Sequence, residues 1–455
     1  MMKKLALLFF AVALSAGAAQ EKDGLKIEHW QSEAGVKVLF VESRALPILD
    51  VRLDFAAGSM FESADKAGLA TLSNAMLNLG AGDLSEAEIS NRLADAGAIL
   101  STHAGGDTAG LSLRVLSTPE KQEAALEVFM NILARPRFET AIFERERARV
   151  IASLKDSLTR PGTLAGRALT AALYPDHPYG FLSTPENLAG ISVEDARQFW
   201  QRHYVADGAI LTIVGDLDRA GAEELAKRLS AALPAGKAPA LPPPPHIFAP
   251  IRATKRQEIR IPHPASQAHI YLGMVAIARD DPDFFPITVG NYILGGGGFV
   301  SRLMEEVREK RGYAYSVYSS FSPQKQAGPF EIVLETRKEQ ADDALELTLN
   351  VLSDFLDKGP TAAEVAAAKA YLTGSFPLRL DSNRKILGQV AAIGIYDLPL
   401  DYLTEYRRRI EAVRIADIRA AFSRHVSMEK LVTVVVGAAA AQTPQTGEEE
   451  ALSEP

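Results

Sequence analysis

The residue types that most often carry enzyme chemistry are sparse in this chain, and their spacing does not favour a site. There are no cysteines, which excludes a thiol nucleophile, an iron–sulfur cluster and a cysteine-bound zinc ion. None of the eight histidines has another histidine three or four residues away, the spacing that puts two metal ligands on one helix face. The closest pair, His263 and His269, is six residues apart on a predicted strand. We therefore expect structural roles for the histidines, including His177, His203 and His425.

Other motifs of phosphate binding and of catalysis are absent or incomplete. The run Gly295–Gly298 is not followed by Lys-Ser or Lys-Thr and does not have dinucleotide-binding spacing, so it predicts a flexible loop rather than a phosphate site. No Gly-x-Ser-x-Gly nucleophile motif is present. Paired carboxylates such as Glu144 and Glu146 lie in a charged helical stretch, which favours solvated side chains. An independently active hydrolase is thus disfavoured.

The overall composition is that of an acidic globular protein. The 455 residues include 49 Lys and Arg against 57 Asp and Glu, for a formal net charge of −8. Because nucleic-acid binding needs a basic face, this balance argues against nucleic acid as the main partner. The hydrophobic share of 47% is ordinary for a folded chain.

The N-terminal residues 1–19 predict a secretory signal peptide. Lys3 and Lys4 precede an apolar run, Leu5–Leu14, and small residues follow up to Ala19. The apolar run is too short to span a membrane comfortably. We expect a periplasmic or secreted protein whose mature form has no membrane span.

A proline-rich segment at 233–250 separates two nearly equal parts, 20–232 and 251–437, and an acidic tail at 438–455 predicts disorder. Shifting the chain by 222 residues aligns the ends of the two parts. The identities are Asp195/Asp417, Arg197/Arg419, Arg202/Arg424, His203/His425, Val214/Val436 and Gly215/Gly437, with further matches at Ser153/Ser375, Gly166/Gly388 and Tyr174/Tyr396. We infer an internal duplication.

The order of elements in the first part predicts an α+β fold. Strand patterns at 36–42 and 49–56 precede helical patterns at 66–79, 86–97, 119–133 and 140–158, with another strand signal between the second and third helices. A helix at 193–203 then leads into a strand that ends at Gly215. Two tandem domains of this kind are expected.

The stretch from Gly58 to Gly80 resembles the pitrilysin/insulinase family of zinc peptidases, the inverzincins. In that family a Gly-Ser turn and a Gly-Leu-Ala helix start lead into His-x-x-Glu-His; here Gly58-Ser and Gly68-Leu-Ala are present. His177-Pro-Tyr-Gly and the strand ending at Gly215 extend the resemblance over nearly the whole chain. The resemblance implies two processing-peptidase-like domains, each a mainly antiparallel sheet with packed helices.

The family's metal ligands are missing at the matching positions. The two histidines and the glutamate of the motif correspond to Thr71, Ala75 and Asn74, which offer neither a pair of imidazoles nor a general base. The third family ligand, a downstream glutamate, aligns with Ser153. Three carboxylates lie close by in the sequence and are alternative candidates for this ligand: Glu144, Glu146 and Asp156. We expect no zinc in this chain.

The second part keeps a family feature that acts across the subunit boundary. The family carries an arginine and a tyrosine seven residues apart, which face the zinc and hold the scissile peptide and its oxyanion; Arg308 and Tyr315 have this spacing. The resemblance also implies that Gly295–Gly298 and Phe299 border the substrate path. The local sequence alone favours a solvated helix charge for Arg308 and a strand-core position for Tyr315. The resemblance across the whole chain favours the functional roles instead.

The resemblance therefore implies a zinc-less subunit of an exported bacterial pair, similar in organisation to mitochondrial processing peptidase. Its partner would be a homologous, zinc-bearing peptidase subunit in a heterodimer, and its substrates unfolded peptides. The alternative is a catalytically inactive peptide-binding or scaffold protein, similar to the core subunits of the respiratory bc1 complex.

Overall fold

The computed structural model describes residues 25–237, 251 and 254–437 of the chain. The predicted signal peptide, most of the proline-rich segment and the acidic tail lie outside the described residues. No helix within the described ranges has the length and apolar character needed to cross a membrane.

The first part contains one six-stranded sheet in the strand order β1-β2-β6-β3-β5-β4, in which only β2 and β6 are parallel. The strands are β1 (Glu28–Gln31), β2 (Lys37–Glu42), β3 (Ile48–Phe55), β4 (Ile99–Ala104), β5 (Ala109–Leu116) and β6 (Ile210–Gly215). The α-helices are α1 (Leu69–Met76), α2 (Glu86–Ala96), α3 (Pro119–Ala134), α4 (Thr140–Ser157), α5 (Pro161–Leu173), α6 (Pro185–Ala189), α7 (Val193–His203) and α8 (Arg219–Ala232).

The second part contains a five-stranded sheet in the order β7-β11-β8-β10-β9, in which only β7 and β11 are parallel. The strands are β7 (Gln257–Ile261), β8 (Gln267–Ile277), β9 (Ala314–Phe321), β10 (Gly328–Arg337) and β11 (Val432–Val436). The α-helices are α9 (Phe284–Asn291), α10 (Ala341–Lys358), α11 (Ala362–Gly374), α12 (Asn383–Ile395), α13 (Tyr402–Ala412) and α14 (Ile415–His425).

The two sheets repeat the same topology, which confirms the predicted α+β fold and the duplication. The order β2-β6-β3-β5-β4 becomes β7-β11-β8-β10-β9, and the single parallel pair occupies the same place in each sheet. The predicted helix at 66–79 is shorter in the structure, because α1 begins at Leu69 after a separate 3-10 turn at Ala64–Lys66. In both sheets one edge strand, β4 or β9, has no described strand on its outer side.

Each sheet is covered partly by a helix from the other half of the chain. Helix α5 packs on β8 and β11, and α12 packs on β2, β3 and β6. Leu169 and Leu173 of α5 join Val432 and Val434 of β11 in one buried apolar cluster. Strands buried on both faces in this way have almost continuous apolar sequences, as all five residues of β11 show.

The turns at the ends of the two edge-strand hairpins meet at the junction of the halves. The Tyr174 hydroxyl, just after α5, donates to the Ala327 carbonyl at 3.0 Å. Asp107 in the β4–β5 turn accepts from the Lys325 amide at 2.9 Å and from the Tyr179 hydroxyl. His177 is buried and its Nε2 lies 2.9 Å from the side-chain oxygen of Gln326. The structural role predicted for His177 is therefore confirmed.

Candidate functional site

Helix α1 carries the three positions that correspond to the missing zinc motif, and its N-terminus is firmly anchored. Gly68 precedes it with a left-handed φ of +106°, a conformation that favours glycine. The buried Glu62 carboxylate accepts hydrogen bonds from the amides of Gly68 (3.0 Å) and Ala70 (2.6 Å). Burial raises the pKa of Glu62 to about 7, although both hydrogen bonds act in the opposite direction.

The three motif positions have separate environments that do not form a ligand set. Thr71 is exposed to solvent and Ala75 is half-buried. Asn74 is buried and its side-chain amide donates to the Gly110 carbonyl (3.1 Å) and to the Tyr204 hydroxyl (3.0 Å). The position that supplies a general base in the family is thus a hydrogen-bond donor to two buried oxygens here, a role that an ionised glutamate cannot perform.

The third ligand position is also unsuited to bind a metal. Ser153 lies on α4 and is exposed. The neighbouring carboxylates are engaged in ion pairs: Glu146 with Arg149 (2.7 Å) and Arg145 (3.1 Å), Glu144 with Arg147, and Asp156 with Arg160. Because these three acids already pair with arginines, none of them replaces the missing glutamate ligand.

The residues around α1 therefore do not fit a zinc ion, since neutral imidazoles and a free carboxylate are what such a site requires. Among the described residues, the one group of three donor side chains close enough to share a metal lies in the second half and consists of Asp281, Asp283 and His425. Asp283 is already bound by both guanidinium nitrogens of Arg424, at 2.6 and 2.7 Å. The sequence gives no signal for this group, because Asp283 and His425 are 142 residues apart.

The glycine run of the second half is an ordered turn, which corrects the prediction of a flexible loop. Helix α9 continues into wide π-type turns at Tyr292–Gly296. Gly295 is buried, and a Cβ atom there would lie 2.5 Å from the Ser319 amide nitrogen, so the glycine allows close packing on β9. Being buried, Gly295 does not offer a surface to a substrate. Gly296, Gly298 and Phe299 are exposed and Gly297 is half-buried.

Arg308 is held between two aromatic rings at the surface of the second half. It lies on a short helix with π-type turns, Met304–Lys310, which ends before Gly312 at a left-handed φ of +64°. Its guanidinium carbon is 4.7 Å from the ring centre of Phe299 and 4.8 Å from that of Tyr315. Stacking of this kind restricts the orientation of an arginine side chain. The Nε atom of Arg308 also lies 3.4 Å from a carboxylate oxygen of Glu309. The arrangement brings three of the predicted site residues together.

Tyr315 is not a core residue of its strand. It lies on the edge strand β9 and its exposed fraction is 80%. The interpretation as strand core is therefore wrong. Phe299 (66% exposed) and Val300 (73%) extend the apolar surface next to it. Val300 was not recognised from the sequence, because an apolar residue after a glycine run gives no signal of its exposure. We refer to Phe299, Val300, Arg308 and Tyr315 as the aromatic patch.

The remaining predicted structural histidines have packing and hydrogen-bonding roles. His203 is buried, its Nδ1 lies 2.6 Å from the Ala56 carbonyl, and its ring stacks on Phe199 with centres 4.2 Å apart. Burial lowers the pKa of His203 to about 4. His425, at the equivalent repeat position, instead lies 2.9 Å from a carboxylate oxygen of Asp283.

Comparisons with known proteins agree with this geometry. The model for insulinase (peptidase family M16) matches residues 37–182, and the model for the peptidase M16 inactive domain matches residues 190–372. A solved structure titled as a peptidase M16 inactive domain, from Pseudomonas fluorescens, is 38% identical, with a TM-score of 0.85; the match covers 92% of this chain and all of that one. The chain belongs to peptidase family M16.

Two further comparisons show similarity in sequence and in fold. The non-peptidase homolog YmxG of Helicobacter pylori is 26% identical over 94% of this chain and 98% of its own length. The periplasmic protease PqqL of Escherichia coli shares the fold at 19% identity with a TM-score of 0.76, and this chain spans about half of it (49%). With the ligand positions occupied by Thr71, Asn74 and Ala75, the protein is a non-catalytic M16 family member.

Proposed function

We propose that this protein is the non-catalytic subunit of an exported, heteromeric zinc metalloendopeptidase that degrades or processes peptides. The observation that carries the proposal is the stacked arrangement of Arg308 between Phe299 and Tyr315 at the surface. In this proposal Arg308 and Tyr315 act in trans, on a peptide bound at the zinc ion of a homologous partner subunit. Gly296–Phe299 would border the path of the peptide.

The chemistry of the two side chains suits that role. A phenol O–H and a guanidinium are both donors to a carbonyl oxygen that gains negative charge as the peptide bond is attacked. Donors that are already oriented stabilise such an oxyanion without reorganisation in the transition state. The two rings orient the Arg308 side chain, of which 26% is exposed, so its direction is set before any substrate arrives.

The aromatic patch also supports a partner. Aromatic side chains bury 150–250 Å² each, so the exposed parts of Phe299, Val300 and Tyr315 amount to roughly 300–400 Å². A patch of this size is comparable to the largest apolar patch of a typical soluble chain, and such patches often serve as interaction sites. PqqL, with twice the length of this fold in one chain, supports an arrangement of two such modules.

Peptide capture would use the backbone as well as side chains. Strands β4 and β9 are edge strands with no described neighbour on one side, and an extended peptide adds to such an edge through main-chain hydrogen bonds.

Export rests on the N-terminal pattern of Lys3, Lys4 and the apolar run Leu5–Leu14. We propose a periplasmic or secreted location on that basis.

The second candidate function is a peptide-binding or scaffold protein of the same fold without any part in catalysis. The printed description of the H. pylori relative as a non-peptidase homolog favours it. Such a protein would use the same aromatic patch for docking but would make no use of the Tyr315 hydroxyl.

Peptide hydrolysis separates the two candidates. We would measure turnover of an unfolded peptide by this protein, by a zinc-bearing M16 subunit from the same organism, and by the mixture. We expect turnover only in the mixture, and a decrease of about 10²-fold with Arg308→Ala or Tyr315→Phe, the scale of one lost oxyanion donor. Tyr318→Phe, on the same strand but without contact to Arg308, is the matched control. Full activity of the zinc subunit alone, unchanged by addition of this protein, would leave only the scaffold function.

A further inference from the structure

Three arginines surround a cluster of aromatic rings in the second half, away from the aromatic patch. We refer to Arg279, Arg379 and Arg409 as the arginine cluster. Arg279 follows β8, Arg379 lies in the 3-10 turn at Phe376–Arg379, and Arg409 is on α13. Three separate elements therefore bring positive charge to one place.

Contacts with shared rings show how closely the arginine cluster is grouped. The guanidinium carbon of Arg279 is 5.0 Å from the ring centre of Tyr402, that of Arg379 is 5.5 Å from Tyr406, and that of Arg409 is 5.4 Å from Phe285. The ring centre of Phe285 is 5.7 Å from that of Tyr402 and 5.8 Å from that of Tyr406. Tyr402, Tyr406 and Arg409 are four and three residues apart, so they lie on one face of α13.

No carboxylate within the described ranges forms an ion pair with any member of the arginine cluster. This differs from the rest of the surface, where arginines regularly pair with acids. On the same helix, Arg408 pairs with Glu405. The charges of all three clustered arginines act to lower the pKa of the Tyr402 hydroxyl, although burial is the larger cause and raises it. No direct ion pair thus neutralises these three arginines, although the chain as a whole has a net charge of −8.

Two buried hydroxyl groups lie within this cluster. The Tyr402 hydroxyl accepts a hydrogen bond from Arg279 at 2.9 Å, which leaves its own proton available to an acceptor. The Tyr406 hydroxyl is buried beside Arg379; burial raises its pKa, while Arg379 acts to lower it. The Tyr402 O–H is therefore one neutral donor next to the three arginines.

We propose that the arginine cluster binds carboxylate groups of an acidic peptide segment. Guanidinium groups over aromatic rings are weakly hydrated, and their planar N–H donors match the two oxygens of a carboxylate. The Tyr402 hydroxyl supplies a further donor, and Leu378, exposed beside Arg379, offers an apolar contact to a neighbouring peptide side chain. The site is independent of the shared active site proposed above.

A short acidic peptide fits better than an extended polyanion such as an anionic membrane. A peptide with a few carboxylates meets only the local cluster, whereas a broad anionic surface would also meet the other acids of a chain with an excess of eight negative charges. The ion-paired acids near α9, Asp281 and Asp283, illustrate this opposing charge.

Binding of a fluorescein-labelled tetraglutamate peptide tests the proposal, with the tetraglutamine peptide as the uncharged control. We expect saturable binding of tetraglutamate that weakens with salt, and no binding of tetraglutamine. The double variant Arg379→Gln/Arg409→Gln should raise the Kd by at least about tenfold, because two charge-assisted contacts are removed. Arg408→Gln removes a charge from the same helix and should change the Kd by less than about twofold.

Each contrary outcome would overturn the inference. An equal loss of affinity in Arg408→Gln and in the double variant would show a general charge effect. Equal binding of both peptides would show that carboxylates are not recognised. Sedimentation with phosphatidylglycerol vesicles, in the absence of tetraglutamate binding, would assign the cluster to a membrane surface instead. Unfolding temperatures of all variants separate lost binding from lost folding, and the single variants replace the double variant if it does not fold.

Discussion

Asn74 stabilises the first domain in place of the general base that active relatives carry, and Asn74→Ala measures this role. The substitution leaves the Gly110 carbonyl and the Tyr204 hydroxyl without the amide that now donates to them at 3.1 and 3.0 Å. A buried polar group that loses its partner costs about 1–3 kcal/mol. For two such groups we expect the free energy of unfolding to fall by about 2–5 kcal/mol.

Thermal unfolding followed by circular dichroism provides the assay. For a domain of about 200 residues, each kcal/mol shifts the Tm by about 2–4 °C, so a decrease of about 4–20 °C is expected. Thr71→Ala, at an exposed motif position on the same helix, should change the free energy by less than about 0.5 kcal/mol. In a double-mutant cycle, Asn74→Ala and Tyr204→Phe should show a coupling of about 0.5–3 kcal/mol. An unchanged Tm in Asn74→Ala would refute the view that position 74 exchanged catalysis for internal hydrogen bonding.

Two further predictions concern protons and metal. The pKa of Glu62 rises from 4.5 to about 7 on folding, so the native state keeps this proton to higher pH than the unfolded state does. The proton contributes about 3 kcal/mol to the free energy of unfolding below pH 4.5. This contribution is lost as the pH rises through about 7. Glu62→Gln should remove that part of the pH dependence in urea unfolding at pH 4–8, and an unchanged slope would contradict it. Metal analysis of the purified mature protein should find well below one zinc per chain; about one zinc, retained in His425→Ala, would show that the altered motif still binds it.

The sequence predicts much of the fold, because its evidence is periodic and repeated. The burial of all five residues of β11 agrees with an apolar run that is interrupted only by Thr433, and the 222-residue offset places Gly166 on α5 and Gly388 on α12. The exchange of those two helices between the sheets was not predictable from the repeat. The two helices occupy equivalent positions in the repeat, and only the completed topology shows which sheet each one covers.

The sequence predicts the residue types of the site but not how exposed their side chains are. The spacing of Arg308 and Tyr315 identifies both residues, yet a single tyrosine on a strand gives no sign of whether it faces the core. The glycine run illustrates the opposite limit. Four consecutive glycines predict a flexible backbone. In the structure, however, Gly295 is required because a side chain there would collide with the Ser319 backbone. Close packing between elements distant in sequence leaves no local pattern to read.

Burial of the aromatic patch does not by itself distinguish a shared active site from a scaffold, because either kind of partner would cover Phe299 and Val300. The Tyr315 hydroxyl distinguishes them. Tyr315→Phe keeps the ring that contacts Arg308 and removes only the O–H, so association with a partner should be preserved. If association and turnover both stay unchanged, the patch is a docking surface and nothing more. If association is preserved while turnover falls, the hydroxyl stabilises the reaction itself, and a chain without metal ligands takes part in catalysis at its partner's zinc.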